Sequence, residues 1–355
     1  MKVNKIPNYW LNHINKKIDC IRKIQLSCKG GFTSFALITD IHWRYNIKNS
    51  APILEKVLND CNIPYYFNAG DIVSGVRSHL KEDIITDLQE FKKAFSETES
   101  KCLIAFGNHD ASYSLPNSNV YYDMQLSTAE IYKNLLSFGD KYQQRVYGGD
   151  KSYYYVDNYI DKIRYVILCN HDLPTNELDD NGKPIYSKMR TYTMLSDQIN
   201  WFAFVALNLP CKDWSVILCS HETAISKDFN ELSPNYPILL NIINAFKNSE
   251  KFVGSMSFND TPYLNVSVNV DYTKGGGNFI GWVGGHMHTD EMITVNGITS
   301  VTTFTDSSGG QDGNVTPHIP NTDKEQSFDV FTVDKLNRKV YITRIGLGKD
   351  REFNY

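Results

Sequence analysis

The 355-residue sequence predicts a layered α/β fold in which strands buried on both faces alternate with helices. Three observations carry this expectation. Apolar runs of strand length recur along the chain, helical stretches separate the earlier ones, and each run closes on a tip of Asp, Asn or His. Ligands in such folds gather at the carboxyl ends of strands, so tips far apart in sequence are expected to meet in space.

Taken in order, residues 9–26 place Trp10, Ile14, Ile18 and Ile21 at helical spacing with lysines between them, which predicts an amphipathic helix after Pro7. Beyond Lys29-Gly30-Gly31 the pattern changes to strand runs. FALITD (35–40), YYFNAGD (65–71), CLIAFGNHD (102–110), YVILCNHD (165–172), SVILCSHE (215–222) and FIGWVGGHMH (279–288) share one form. Helices are expected over 51–61, 80–95, 128–138, 196–207 and 237–247. The last third reads as strands at 291–295, 299–304, 327–333 and 339–344. Hairpin turns are expected at Asn296-Gly297 and at 335–337, and a long loop over 306–324. No repeat or linker interrupts the pattern. The expectation is one domain, with residues 1–33 as an N-terminal helical arm packed on the core formed by 34–355.

Composition excludes several roles. The 36 Lys+Arg against 40 Asp+Glu give a formal charge of -4, which argues against a broad basic face for nucleic acid or anionic lipid. No apolar run reaches the ~18 residues of a membrane span. The opening MKVNKIPNYW lacks the apolar stretch of a secretory signal. The seven cysteines are scattered and never form a CxxC pair, so neither a disulfide framework nor a cysteine zinc site is expected. A cytoplasmic setting follows as the default.

The strand tips read Asp40-Ile41-His42, Gly70-Asp71, Gly107-Asn108-His109-Asp110, Ser220-His221 and Gly285-His286-Met287-His288. Singly, each has a bland explanation: Asp40 or Asp71 as a helix cap, His42 as a core histidine, His286 and His288 as alternate surface positions. Together and in this order they resemble the calcineurin-like metallophosphoesterase superfamily, whose motifs are DxH, GD, GNH(D/E), H and GHxH. The resemblance spans residues 35–288. It implies a four-layer αββα fold over 34–355, in which a central β-sandwich of two mixed sheets is flanked by helices. It also implies two divalent or trivalent ions. Asp40, His42, Asp71 and His288 would hold the first; Asp71, Asn108, His221 and His286 would hold the second, with Asp71 shared. Mixed imidazole and carboxylate donors suit Mn, Fe or Zn better than Ca or Mg. Strand alternation would aim both residues of DxH and of HxH the same way. Gly70, Gly107 and Gly285 would permit close backbone near the ions.

The implied chemistry is hydrolysis at phosphorus by in-line attack of a hydroxide bridging the ions, with His109 protonating the leaving oxygen. Asp110 is expected either to orient His109 or to make a structural hydrogen bond. Asn170-His171-Asp172 repeats NHD after a strand, but Asn108-His109-Asp110 alone has the preceding Gly and sits between GD and the final histidines, although the strand carrying Asn170 also points its tip at the site. His171, Asp172 and Arg190 remain candidate substrate contacts, in loops rich in tyrosine (Tyr113, Tyr121, Tyr122, Tyr186 and Tyr192). Protein phosphatases of the superfamily carry GDxxDRG. Here Ser74 stands where the second Asp would be, which separates the chain from that branch. The leading expectation is a phosphodiesterase acting on a phosphate-ester substrate. The alternatives are a phosphomonoesterase on a nucleotide or sugar phosphate, and a non-catalytic module whose metals brace a binding surface or a phage assembly.

Overall fold

The computed structural model describes residues 5–42, 47–74, 81–111, 125–173, 178–180, 185, 186, 188, 191–223, 225, 234–307 and 317–355. In chain order the first strands are β1 (Phe32–Ile38), β2 (Tyr65–Asn68), β3 (Cys102–Ile104), β4 (Arg145–Gly148), β5 (Tyr153–Asn158), β6 (Ile163–Ile167) and β7 (Ser215–Cys219). There follow β8 (Lys251–Met256), β9 (Val266–Asp271), β10 (Asn278–Gly284), β11 (Glu291–Val295), β12 (Ile298–Thr302), β13 (Ser327–Asp334), β14 (Lys339–Gly346) and β15 (Arg351–Asn354). One mixed sheet runs β15-β14-β13-β1-β2-β3, and the other β11-β12-β10-β7-β6-β5-β4; β8 and β9 form a separate hairpin. The pairs β1–β2, β2–β3, β6–β7, β7–β10 and β10–β12 are parallel, and the other pairs of the two sheets are antiparallel.

The two sheets face each other across an apolar layer. Phe35 and Leu37 of β1 point into it, against Tyr165, Ile217 and Val301 of the opposite sheet, while Ala36 and Ile38 point out toward helices. This is the period-two alternation of a strand buried on both faces. Phe35 stacks on Phe331 at 4.7 Å between centroids. The helices α1 (Asn8–Ser27), α2 (Ile47–Asp60), α3 (Lys81–Ala94) and α4 (Thr128–Ile131) cover the first sheet. On the second sheet lie α5 (Ser196–Trp201) and α6 (Tyr236–Asn248). The layers are therefore αββα.

In α1 the buried face is Trp10, Ile14, Ile18, Ile21 and Gln25, one stripe at steps of three and four residues. Gln25 ends the stripe without an unpaired amide, since its Nε2 donates to Ser34 Oγ and to the Cys61 carbonyl. The helix lies against β13 and β14 and shares its apolar cluster with Phe328, Val330 and Ile345.

Several elements depart from the expectation. The helices predicted over 128–138 and 196–207 each widen, with π turns at Tyr132–Leu136 and Phe202–Ala206. Strands β4, β5, β8, β9 and β15 were not anticipated. The β11–β12 turn at Asn296-Gly297 has φ of 50° and 71°, the mirror-image geometry a two-residue hairpin demands. Of the expected 306–324 loop, residues 308–316 lie outside the described residues. Among the described residues no helix is long and apolar enough to cross a membrane.

Candidate metal centre

The tips of both sheets meet at one end of the sandwich. The parallel ladder of β1 and β2 continues past the strands: Asp40 N donates to the Gly70 carbonyl, and His42 N to the Asp71 carbonyl, each at 3.0 Å. Across the seam, Gly285 N donates to the His221 carbonyl at 2.8 Å. The ligand candidates lie beyond the regular strands, and the reason Asp40 and His42 share a direction is not strand alternation. Asp40, His42, Asp71, His286 and His288 all have positive φ, between 44° and 68°. Left-handed backbone at non-glycine residues is costly and concentrates at functional sites. Five such residues on three separate tips correct the simpler expectation: tight turns, not pleats, aim these side chains.

Glycines make the approach feasible. A Cβ on Gly107 would collide with the backbone and carboxylate of Asp71, and one on Gly285 with Thr39 and the Asp40 carboxylate.

Three donor clusters result: Asp40 with His42 and His288; His42 with Asp71 and His109; and Asp71 with His221 and His286. Within each, the ligand atoms lie within 4.8 Å of one another. The structure thus brings together Asp40, His42, Asp71, Asn108, His221, His286 and His288, and it places Asp71 in two clusters. His288 Nε2 is 3.1 Å from Asp40 Oδ1 and 3.2 Å from His42 Nε2. His221 Nε2 is 3.3 Å from Asp71 Oδ2 and 3.0 Å from Asn108 Oδ1. Second contacts fix the donors. His221 Nδ1 donates to the Ala69 carbonyl at 2.7 Å, which leaves Nε2 for the centre. Thr39 Oγ1 and His286 N both donate to Asp40 Oδ2.

The electrostatics call for a cation. Asp40 and Asp71 are buried, and among the described residues only imidazoles neutralise them. Burial alone would raise both carboxyls, yet the His288 ring holds Asp40, and the His221 and His109 rings hold Asp71, well below the usual carboxylate range. Burial would lower His221, but Asp71 and then Asp40 raise it to about 10. A metal ion held among these donors would supply positive charge to the two buried acids. The donor set and the buried acids therefore fit a metal pair.

His109 lies on the open side. Its side chain is 20% exposed against 0% for His221, and its Nε2 is 3.9 Å from Asp71 Oδ2. Its Nδ1 donates to the Ser74 carbonyl at 2.6 Å, so Ser74 orients the ring. Asp110 does not. Its carboxylate accepts from the backbone N–H groups of Ile72, Val73 and Gly107, clamping the two glycine loops together. Burial and the neighbouring Asp71 push Asp110 up to about 7.

The second NHD divides its tasks differently. Asn170 bonds to the backbone of Glu222 in both directions, steadying the turn that carries His221. Asp172 accepts from Leu195 N and Gln198 Nε2 at the start of α5. His171 is buried behind the centre, its ring 6.3 Å from that of His221 and 5.2 Å from Tyr192. Tyr192 reaches His286 at 5.1 Å, while Tyr186 packs on Tyr263. Arg190, Tyr113, Tyr121 and Tyr122 lie outside the described residues. Sequence reading missed Lys188, a buried lysine whose ammonium donates to the His171 carbonyl; no local pattern marks it.

An αββα sandwich with Asp, Asn and His donors gathered at one end of its strands is the architecture of a metallophosphoesterase. The chain belongs to the calcineurin-like phosphoesterase family, whose model matches residues 33–338. No curated protein matches it in sequence. Among solved structures it is similar to the GAP50 anchor of the Plasmodium inner membrane complex, at 10% identity and a TM-score of 0.48 over 91% of this chain and 89% of that one. It is also similar to the phosphopantetheinyl hydrolase of Mycobacterium tuberculosis (13% identity, TM-score 0.36, 77% and 90% covered). A third likeness is to vacuolar protein sorting 29 from Cryptosporidium parvum (12% identity, TM-score 0.30, 91% and 99% covered).

Proposed function

We propose that the chain hydrolyses a phosphodiester with two metal ions of the Mn, Fe or Zn type. Asp40, His42, Asp71 and His288 would hold one ion, and Asp71, Asn108, His221 and His286 the other. The observation that carries this reading is the membership of Asp71 in two donor clusters with His109 alongside on the open face. When bound, such ions supply Lewis acidity toward phosphoryl oxygens and make water nucleophilic at neutral pH. The chain's own residues do the rest. The Ser74 carbonyl accepts from His109 Nδ1 and so turns Nε2 toward the substrate, where the ring in its imidazolium form gives the Nε2 proton to the leaving oxygen. The Asp110 clamp keeps the Asp71 and Asn108 loops in register as charge moves. Around Asp71 stand imidazoles and one amide, which suits the single negative charge of a diester.

The test compares natural protein and Asp71→Asn, each supplied with Mn²⁺, on bis-p-nitrophenyl phosphate and p-nitrophenyl phosphate. Natural protein is expected to turn over the diester faster, and the variant to lose both activities. Faster monoester turnover would make it a phosphomonoesterase. Equal, negligible rates in both proteins would leave the non-catalytic module.

A further inference from the structure

Beside the metal centre the apolar layer between the sheets gives way to four charged side chains. Val340 and Ile342 of β14 belong to that layer, and Arg344, two residues on, shares their face and is fully buried. Its Nε donates to Asp329 Oδ1 at 2.7 Å, and its Nη1 to Ser327 Oγ at 2.6 Å and to the Leu347 carbonyl at 2.7 Å. Its Nη2 donates to Thr303 Oγ1 at 2.8 Å and to Asp290 Oδ1. Arg351 of β15 adds a second guanidinium, which donates to Asp329 and to the Thr302 carbonyl. Asp329 faces Arg344 across the β13–β14 ladder, whereas Asp290 follows β10 and Thr303 follows β12, in the other sheet. The pairs therefore cross the seam. Gly348, at φ of 115°, leaves room for them: a Cβ there would meet Arg344 Nη1 and Asp290 Oδ2.

Exchanging buried ion pairs for apolar side chains of similar size is often neutral or stabilising, so stability alone does not explain charge here. What a guanidinium supplies is direction, because its planar fork donates along fixed lines. Direction matters at Asp290, two residues past His288. The His288 ring has to meet Asp40 and His42, which stand on the first sheet, while its backbone runs out of β10 in the second. Its turn is also left-handed at both His286 and His288, a conformation that persists only where the surroundings over-determine it. Before Met287 the turn is pinned by Gly285 N on the His221 carbonyl and by His286 N on Asp40 Oδ2. Past His288, Thr302 Oγ1 donates to the Thr289 carbonyl and Phe304 N to Asp290 Oδ1, both from β12 and its extension. Arg344 adds the bond that comes from the first sheet. We infer that Arg344, acting through Asp290, is a positioning residue for His288. It thereby sets the affinity of the ion on Asp40, His42, Asp71 and His288, but not that of its neighbour. This inference rests on the two-ion reading above.

The experiment strips full-length protein of metal and titrates Co²⁺ back, reading stoichiometry by calorimetry and the ligand field by visible absorption. Natural protein is expected to take two ions. Asp290→Ala should weaken one of them about tenfold to a hundredfold, the usual effect of removing a group that orients a ligand, and leave the other within about threefold. Placed in a His221→Ala background, which disables the second ion's site, the same substitution should still weaken the remaining ion. In a His288→Ala background it should change nothing further, because the residue it acts through is gone. Phe246→Ala, buried against Tyr272 under α6, provides a chain destabilised elsewhere and should bind both ions as natural protein does. If Asp290→Ala does not fold, Asp290→Asn, which keeps an acceptor oxygen and loses the charge, decides with a weakening of about threefold or more. No weakening, equal weakening of both ions, a further loss in the His288→Ala background, or the same loss in Phe246→Ala would overturn the inference. Fewer than two ions on natural protein would overturn the two-ion reading and this inference with it. Selective weakening in a protein that hydrolyses no ester would sink the phosphodiesterase reading alone.

Discussion

The division between the two NHD segments is decided by single atoms. Asn108 faces His221 at 3.0 Å, whereas Asn170 spends its amide on the Glu222 backbone. His109 keeps Nε2 toward the open side because Ser74 takes its other nitrogen. His109→Ala is therefore expected to lower kcat at least about a hundredfold while leaving metal content unchanged, since the other donors stay in place. Parallel loss of bound metal, measured by atomic emission, would make His109 a ligand and remove its assigned role. A second residue-scale expectation concerns Asp306. Burial pushes its carboxyl up to about 7, against hydrogen bonds from Ser50 and from the Ser327 N–H. In the unfolded chain the same group ionises near about pH 4. Between these values the folded protein keeps a proton that the unfolded chain has released. The stabilising contribution is complete below about pH 4 and is lost as pH rises through about 7. Asp306→Asn removes that loss, so its melting temperature should climb relative to natural protein between about pH 4 and pH 7 and keep that lead above it. Identical pH slopes for the two proteins would refute this.

At the scale of elements, α1 acts as a strap across β13 and β14, held by one apolar stripe. Trp10 is fully buried in that stripe. Trp10→Ala should cost about 3–5 kcal/mol in urea unfolding, and a loss below about 1 kcal/mol would show the strap to be dispensable. The stripe was legible because residues 10, 14, 18 and 21 repeat at helical spacing. The parallel strands were legible because each is a continuous apolar run with a polar tip. What escaped notice had weaker signals. β4 and β5 mix tyrosine with charge (RVYG, YYYVDN), so burial of the tyrosine rings, rather than hydropathy, makes them strands. β9 does alternate (VSVNVD), yet its partner β8 is interrupted by Gly254 and Ser255. β15 is a four-residue edge strand set by pairing with β14. That the Asp, Asn and His tips would meet at one end of the sandwich could be read from motif order. The left-handed turns that aim these tips could not, because they arise from contacts between segments distant in sequence.

At the scale of the whole molecule, the candidate metal centre occupies the seam between two sheets that are otherwise joined mainly by apolar contact. Asp40, Asp71 and Asn108 come from one sheet, and His221, His286 and His288 from the other. Ions that bind only the folded chain stabilise it by mass action. Stripping them with a chelator should lower the melting temperature by several degrees, about what 1–2 kcal/mol produces in a chain of this size or somewhat more. An unchanged melting curve after complete metal removal would count against coordination across the seam.

The same arrangement makes the centre a rivet through one rim of the sandwich. Drawn out, it leaves like-charged carboxylates and strained turns with little beyond the Arg344 pairs to hold the halves shut at that rim, while the far rim stays closed by its hairpins. Amide exchange should then accelerate first at Ala69–Asp71, Ser220–His221 and Gly284–His286 and spread inward from there, so that the protein opens like a book along its spine.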